Sequence, residues 1–420
     1  MGRLEEQDFD EKRLARRQRR KKSQLIAFIS LFTFFAIIVI LVCFGIGAIK
    51  KVIGEKKALQ EQAALEASIE NENVVIETPS DVEEEPVEMS ESDVLEEIVN
   101  GCLNELTLED KVAGLFMVTP EQLTGVETVV KAGSSTQDAL SRYSVCGLVY
   151  SPKNLKSQEQ VSEMIKSTRD MSKYPIFVAL KEDGSSEGTI SASLGGLDIP
   201  EINNSDTAYS AGTNIAAAMF KYGFNFDLAP SVDVSENGKY GTDVALVSDV
   251  TVSFTNALSD SGIFACLYDF PASTSDSEIT KDELMAGNYS VYQKTIGDGS
   301  VSAVMMSNGS FPGLVSVDTP ASLSYEIIGG ELRNSVGFDG VVITGPLDQE
   351  AITSKYSSAE AAVSAIAAGA DIIYLPENFE EAYQGVLDAV SNGKITEERI
   401  DESLKRIYRL KYADKVGQTN

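Results

Sequence analysis

Val341-Val342-Ile343-Thr344-Gly345-Pro346-Leu347-Asp348 is an apolar run that breaks off in Thr-Gly-Pro. A short apolar stretch bounded by turn residues reads as a strand buried on both faces, the kind found in parallel sheets. The carboxyl end of such a strand is where α/β barrels keep their chemistry. This makes Thr344 to Asp348 the first place to look for functional groups.

Working outward, comparable runs recur at residues 115–118, 147–150, 176–180, 224–229, 263–270, 303–306 and 371–375. Segments of helical period fall between most of them, at 157–172, 209–222, 246–261, 359–368 and 380–392. Eight strands alternating with helices over residues 93–420 predict an α/β fold of the TIM-type (β/α)8 barrel. An open doubly wound sheet is the competing architecture. No glycine-rich phosphate loop follows the first strand, which speaks against a nucleotide-binding fold. Residues 94–106 and 401–412 read as amphipathic helices flanking the barrel. Thr107-Leu108-Glu109-Asp110 reads as a capping box opening a further helix.

The segment before the barrel has a different texture. Residues 25–49 form an uncharged apolar run of 25 residues. At about 1.5 Å per residue it is long enough to cross a hydrocarbon core of about 30 Å. The first 22 residues carry nine Lys/Arg against five Asp/Glu, whereas only Lys50, Lys51, Lys56 and Lys57 follow the run closely. The positive-inside rule then puts residues 1–24 in the cytoplasm as a basic tail, 25–49 across the membrane, and the rest outside. Residues 50–92 read as a juxtamembrane helix followed by an acidic, proline-containing linker. The expected organisation is a cell-membrane protein with one spanning helix and an extracytoplasmic barrel.

Composition excludes several functions. From Asp93 onward there are 22 basic and 47 acidic residues, a net charge of −25. Nucleic acid demands a basic footprint, so it is not an expected partner. The chain has neither His nor Trp. Imidazole acid–base catalysis is therefore excluded, and no Trp platform is available for a sugar ring. Cys43, Cys102, Cys146 and Cys266 are scattered, with neither disulfide-framework nor metal-ligand spacing. No cofactor is implied and no metal site is expected.

Several motifs occur in order between residues 105 and 413. They include Leu106-Thr107-Leu108-Glu109-Asp110-Lys111-Val112 and Gly147-Leu148-Val149-Tyr150, the latter followed by Asn154-Leu155-Lys156-Ser157. Next come Gly223-Phe224-Asn225-Phe226-Asp227-Leu228-Ala229-Pro230-Ser231-Val232-Asp233-Val234 and Pro320-Ala321-Ser322-Leu323-Ser324. The longest is Leu332-Arg333-Asn334-Ser335-Val336-Gly337-Phe338-Asp339-Gly340-Val341-Val342-Ile343; Ala368-Gly369-Ala370-Asp371 and Ser403-Leu404-Lys405-Arg406-Ile407 complete the order. This sequence of motifs resembles the barrel domain of family 3 glycoside hydrolases. The likeness is greatest to the single-domain bacterial β-N-acetylhexosaminidase type.

The resemblance implies a nucleophilic carboxylate at the position held here by Gly345. It also implies a Lys-His pair where Tyr268-Asp269 stand, a sugar-contacting His at Asn308, and a D-x-E-G-G loop where Lys181-Glu182-Asp183-Gly184-Ser185 stand. The Arg of R-S-F-G falls on Gly238. The acid/base loop has Asp276-Ser277-Glu278 as its expected remnant. Strand interiors keep their residue types while the polar groups at strand ends are replaced together. Without the nucleophile the covalent route to hydrolysis is closed. The expected function is a catalytically inactive, membrane-anchored relative of these enzymes that binds cell-envelope glycan or another envelope protein. The alternative is an active β-N-acetylhexosaminidase or glycosidase with displaced carboxylates, for which Asp348 and Asp269 are the rescue candidates and Asp183 and Glu182 further ones. Lys181, Asp183, Asp233, Tyr268, Asp269, Asn308 and Asp348 are the candidate ligand-binding residues. A carboxylate-only metal site from Asp183, Asp233, Asp269 and Asp348 is conceivable chemically but has no supporting spacing.

Overall fold

The computed structural model describes residues 90–273 and 279–413. The basic tail, the apolar segment 25–49, the juxtamembrane segment with its linker to residue 89, and Asp276-Ser277-Glu278 lie outside the described residues. Among the described residues no helix is long and apolar enough to cross a membrane.

The eight expected strands form: β1 (Phe116–Val118), β2 (Gly147–Val149), β3 (Phe177–Leu180), β4 (Phe226–Asp227), β5 (Phe264–Phe270), β6 (Ala303–Met306), β7 (Val341–Ile343) and β8 (Ile373–Tyr374). Each pairs in parallel with its chain neighbour, and β1 also pairs with β8. The ring closes between β7 and β8 through an isolated bridge, Ile343 to Ile372. There the Thr344 N–H donates to the Ile372 carbonyl (3.0 Å), and the Asp371 and Ile372 N–H groups both donate to the Val342 carbonyl (2.8 and 3.0 Å). This is the barrel, not the open sheet.

Apart from Phe264, Tyr268 and Asp269 of β5, strand residues are buried on both faces, which is why the runs read as largely apolar rather than alternating. Phe177, Phe226 and Phe264 cluster inside the barrel, with ring centroids 5.0 to 6.1 Å apart. The β4 ladder is shorter than the apolar run around it. Beyond its two residues, single hydrogen bonds continue the pairing, such as Leu228 N–H to the Leu180 carbonyl at 2.8 Å.

The helix Glu91–Glu105 starts earlier than its apolar period suggests and begins inside the expected linker. Ser90 caps it reciprocally with Asp93, so polar residues rather than apolar ones set the start. It is joined to the closing helix Glu397–Tyr412 by the Arg409–Glu96 ion pair. At Thr107 only half of the expected capping box forms. The Thr107 hydroxyl accepts from the Asp110 N–H at 3.2 Å, but the Asp110 carboxylate turns to Lys173 (2.7 Å) and Ser144 (2.8 Å).

Asp371, just before β8, is fully buried and heavily partnered. It accepts from Arg333 (2.8 Å), Arg406 (3.1 Å), the Ser403 hydroxyl (2.6 Å) and the Val342 N–H (2.9 Å). This one carboxylate ties β7, β8, the wide π-type helix Glu326–Val336 and the closing helix together.

Candidate functional site

The carboxyl ends of β3, β4 and β5 bring together Lys181, Asp183, Asp233, Tyr268 and Asp269. The Lys181 ammonium lies 4.4 Å from the centroid of the Tyr268 ring, a cation–π distance. Burial pushes the Asp269 carboxyl up to about 6; the Asp233 carboxylate adds to that rise and the Lys181 charge opposes it. Burial works to raise Asp183 too, but hydrogen bonds from Ser185 and the nearby Lys239 and Lys181 charges hold it below its ordinary value. Lys239 lies 3.6 Å from the Asp183 carboxylate and also donates to the Asp183 carbonyl.

Beneath this group, Glu182 and Asp227 are fully buried. Glu182 accepts from the N–H groups of Gly184 (3.1 Å), Ile190 (2.8 Å) and Ser191 (3.0 Å), and from the Ser191 hydroxyl (3.1 Å). Gly188 must lack a side chain here, because a Cβ would fall 1.8 Å from a Glu182 oxygen. Glu182 therefore staples its own loop and is not presented to a ligand, which removes it from the displaced carboxylates expected from the sequence. Asp227 accepts the Glu182 N–H through one oxygen at 2.9 Å, and its other oxygen has no partner among the described residues. Burial drives the pKa of Asp227, under the β3–β5 rim, well above the ordinary carboxylate value.

The opposite side of the rim is built differently. Gly345 follows β7 and carries no functional group. Its N–H donates to the Ser322 hydroxyl (2.8 Å), which in turn donates to Asn308 Oδ1 (2.7 Å). Asn308 Nδ2 donates to the Pro346 carbonyl (2.6 Å) and to Gln349 Oε1 (2.9 Å). An added Cβ at Gly345 would meet Asn308 Oδ1, Cγ and Nδ2 at 2.7, 2.8 and 2.9 Å. The Asn308 amide thus occupies the space into which any side chain at residue 345 would grow.

Asp348, three residues on, is solvent-accessible but partly covered. Partial burial and the Glu377 carboxylate raise its pKa. Its charge neighbours are at β8, whereas those of Asp269 are Lys181 and Asp233. The two rescue candidates therefore belong to separate groups. Among the described residues no cluster of three or more carboxylate or thiol side chains is arranged to hold a metal ion.

Sequence reasoning did not find the part played by Ser322, although it sits in a quoted motif, nor the clash that Asn308 imposes at residue 345. Both rest on contacts between the β6 and β7 loops that no local pattern encodes.

The sequence profile of the glycosyl hydrolase family 3 N-terminal domain matches residues 107–410. Beta-hexosaminidase A of Pseudoalteromonas piscicida is 22% identical over 325 residues, covering 65% of this chain and 54% of that protein. The beta-hexosaminidase of Haemophilus influenzae is 23% identical over 287 residues, covering 62% and 79%. The chain thus spans about half the length of the first of these relatives. Among solved structures, a family 3 β-N-acetylglucosaminidase from Paenibacillus sp. FPU-7 superposes with a TM-score of 0.66 at 27% identity, covering 74% of this chain and 63% of that one. A family 3 glycosyl hydrolase from Mycobacterium smegmatis superposes with a TM-score of 0.63, covering 73% and 98%; at 24% identity this speaks for the fold.

Proposed function

Since the chain belongs to glycosyl hydrolase family 3 through its N-terminal barrel domain, we propose that it keeps the hexosaminidase-like barrel but not the hydrolysis. In this reading the barrel is a binding scaffold at the cell envelope, with envelope glycan or an envelope protein as its ligand. The observation that carries it is at the end of β7. Gly345 supplies no carboxylate, and Asn308 fills the space one would need. Covalent retaining hydrolysis requires a nucleophile at a fixed short distance from an acid/base group. No His exists in the chain to supply an imidazole acid/base. Residues 25–49 anchor the protein and residues 1–24 stay in the cytoplasm, so that the barrel meets its ligand outside.

The test is the purified full chain assayed with chromogenic N-acetylhexosaminides and glucosides, alongside sedimentation with purified cell-wall glycan. No turnover, together with saturable glycan sedimentation, is the expected result. Turnover that persists through repeated purification overturns the proposal.

One observation favours a second reading, an active hydrolase with displaced carboxylates. Asp269 is held near pKa 6 beside Lys181, the condition of a general acid. Under that reading, Asp269→Asn or Asp348→Asn abolishes a measurable turnover. Under the first reading neither substitution has an activity to remove.

A further inference from the structure

The floor of the barrel, at the amino ends of the strands, holds a cavity of about 760 Å³ that is unrelated to the rim. Its lining includes Phe220, Phe264, Arg169 and Lys411; Phe177 and Phe224 stand there too but are packed away with almost no exposed surface. Phe220 stands 76% exposed, whereas most other large apolar side chains among the described residues are packed away.

From Asp93 onward acidic residues outnumber basic ones by 47 to 22. Many of the other cations among the described residues are paired with a carboxylate, Lys111, Lys173, Lys281, Arg333 and Arg409 among them. Among the described residues, neither the Arg169 guanidinium nor the Lys411 ammonium has a carboxylate partner. Lys411 instead lies 5.0 Å from the Phe177 ring centroid and 5.3 Å from that of Tyr408. Aromatic faces compensate a buried ammonium less than an anion does.

We propose that this cavity is a binding site for a small carboxylate with an apolar body. The carboxylate takes the Lys411 ammonium and the Arg169 guanidinium, and the apolar body lies along the phenylalanine wall. A planar carboxylate matches the guanidinium fork. The state of Lys411 agrees with an incomplete site. Burial lowers its pKa to about 8, with only the Cys146 thiol acting the other way. Burial in turn pushes that thiol up to about 12 and the Tyr408 phenol above its ordinary value. Both shifts favour the uncharged forms, so neither group offsets the Lys411 charge. Ligand binding must then draw a proton onto Lys411 at pH 8.5.

The probe is 3-phenylpropionate, titrated into the full chain by calorimetry at pH 8.5 in two buffers of different ionisation enthalpy. 3-Phenylpropan-1-ol serves as the uncharged control. Saturable binding with net proton uptake is expected. Lys411→Met should lower affinity at least tenfold and Arg169→Gln severalfold, with no saturable binding of the alcohol. Absence of saturable binding, equal affinity for the alcohol, or unchanged affinity in Lys411→Met overturns the proposal. Should Lys411→Met fail to fold, Arg169→Gln and the alcohol control decide, and unchanged affinity in Arg169→Gln overturns the proposal.

Discussion

At Gly345 one neighbour decides the stereochemistry. The Asn308 amide has both donors and its acceptor engaged, so it cannot swing aside without losing bonds. Gly345→Asp should therefore destabilise the barrel by about 1–3 kcal/mol through overpacking and should not by itself create a hydrolase. Urea unfolding checks the first half, and Asn308→Gly in the same chain should recover most of the loss. Asp269 yields a second expectation, in pH. Its carboxyl titrates near 6 in the folded chain, against about 3.9 in an unfolded one. The folded state thus prefers the protonated acid. That preference contributes fully below about pH 4 and is lost as pH rises through 6, leaving a penalty of about 3 kcal/mol above it. Asp269→Asn should be more stable than the parent at pH 7, with the advantage fading to nothing by pH 4. Unfolding midpoints measured across that range test the sign. A flat difference would mean that Asp269 is not held as described.

At the scale of elements, the Asp371 clamp makes the sharpest prediction. It is a fully buried carboxylate with two arginines bonded to it and a third, Arg399, at 3.9 Å. Asp371→Ala should cost about 3–5 kcal/mol, because it strands buried cations as well as losing bonds. Thermal unfolding would register this as a large drop, and a change within error would show the cluster to be solvated. The elements themselves were largely legible in the sequence. Barrel strands are buried on both faces, so each declares itself as an apolar run, and all eight lie where such runs predicted. Element ends were less legible. Ser90 and Asp93 set a helix start that an apolar period cannot see, and β4 has a shorter ladder than its run. The site was legible as a set of missing groups, because a lost carboxylate at Gly345 shows in any aligned motif. What replaced them was not. Glu182 resembles a displaced catalytic acid until four hydrogen bonds show it to be a loop staple. Asn308 resembles a lost sugar contact until its amide is found against Gly345. Both facts depend on which loops meet in space.

For the whole molecule, the distribution of charge and apolar residues carries the expectation. If residues 25–49 anchor the chain, the full protein should partition with membranes, and deletion of that segment should release it. Protease added outside intact cells should degrade the barrel and spare the basic tail. Protection of the barrel would reverse the proposed orientation. The acidic barrel should also stay soluble at low salt and show no retention on DNA-coated resin, since it has no surplus of cations to exchange for counterions.

The pairing of the helices Glu91–Glu105 and Glu397–Tyr412 has a consequence for connectivity. The first and last described helices are joined by Arg409 and Glu96, with a second bond from Arg409 at 2.9 Å. Such a domain is nearly a loop in which the starting point of translation is arbitrary. A circular permutant that links the two helices and opens the chain in an exposed loop should fold to the same barrel. Its new ends could then be placed beside the rim or beside the floor, so that a reporter fused there reads one end of the barrel without disturbing the other.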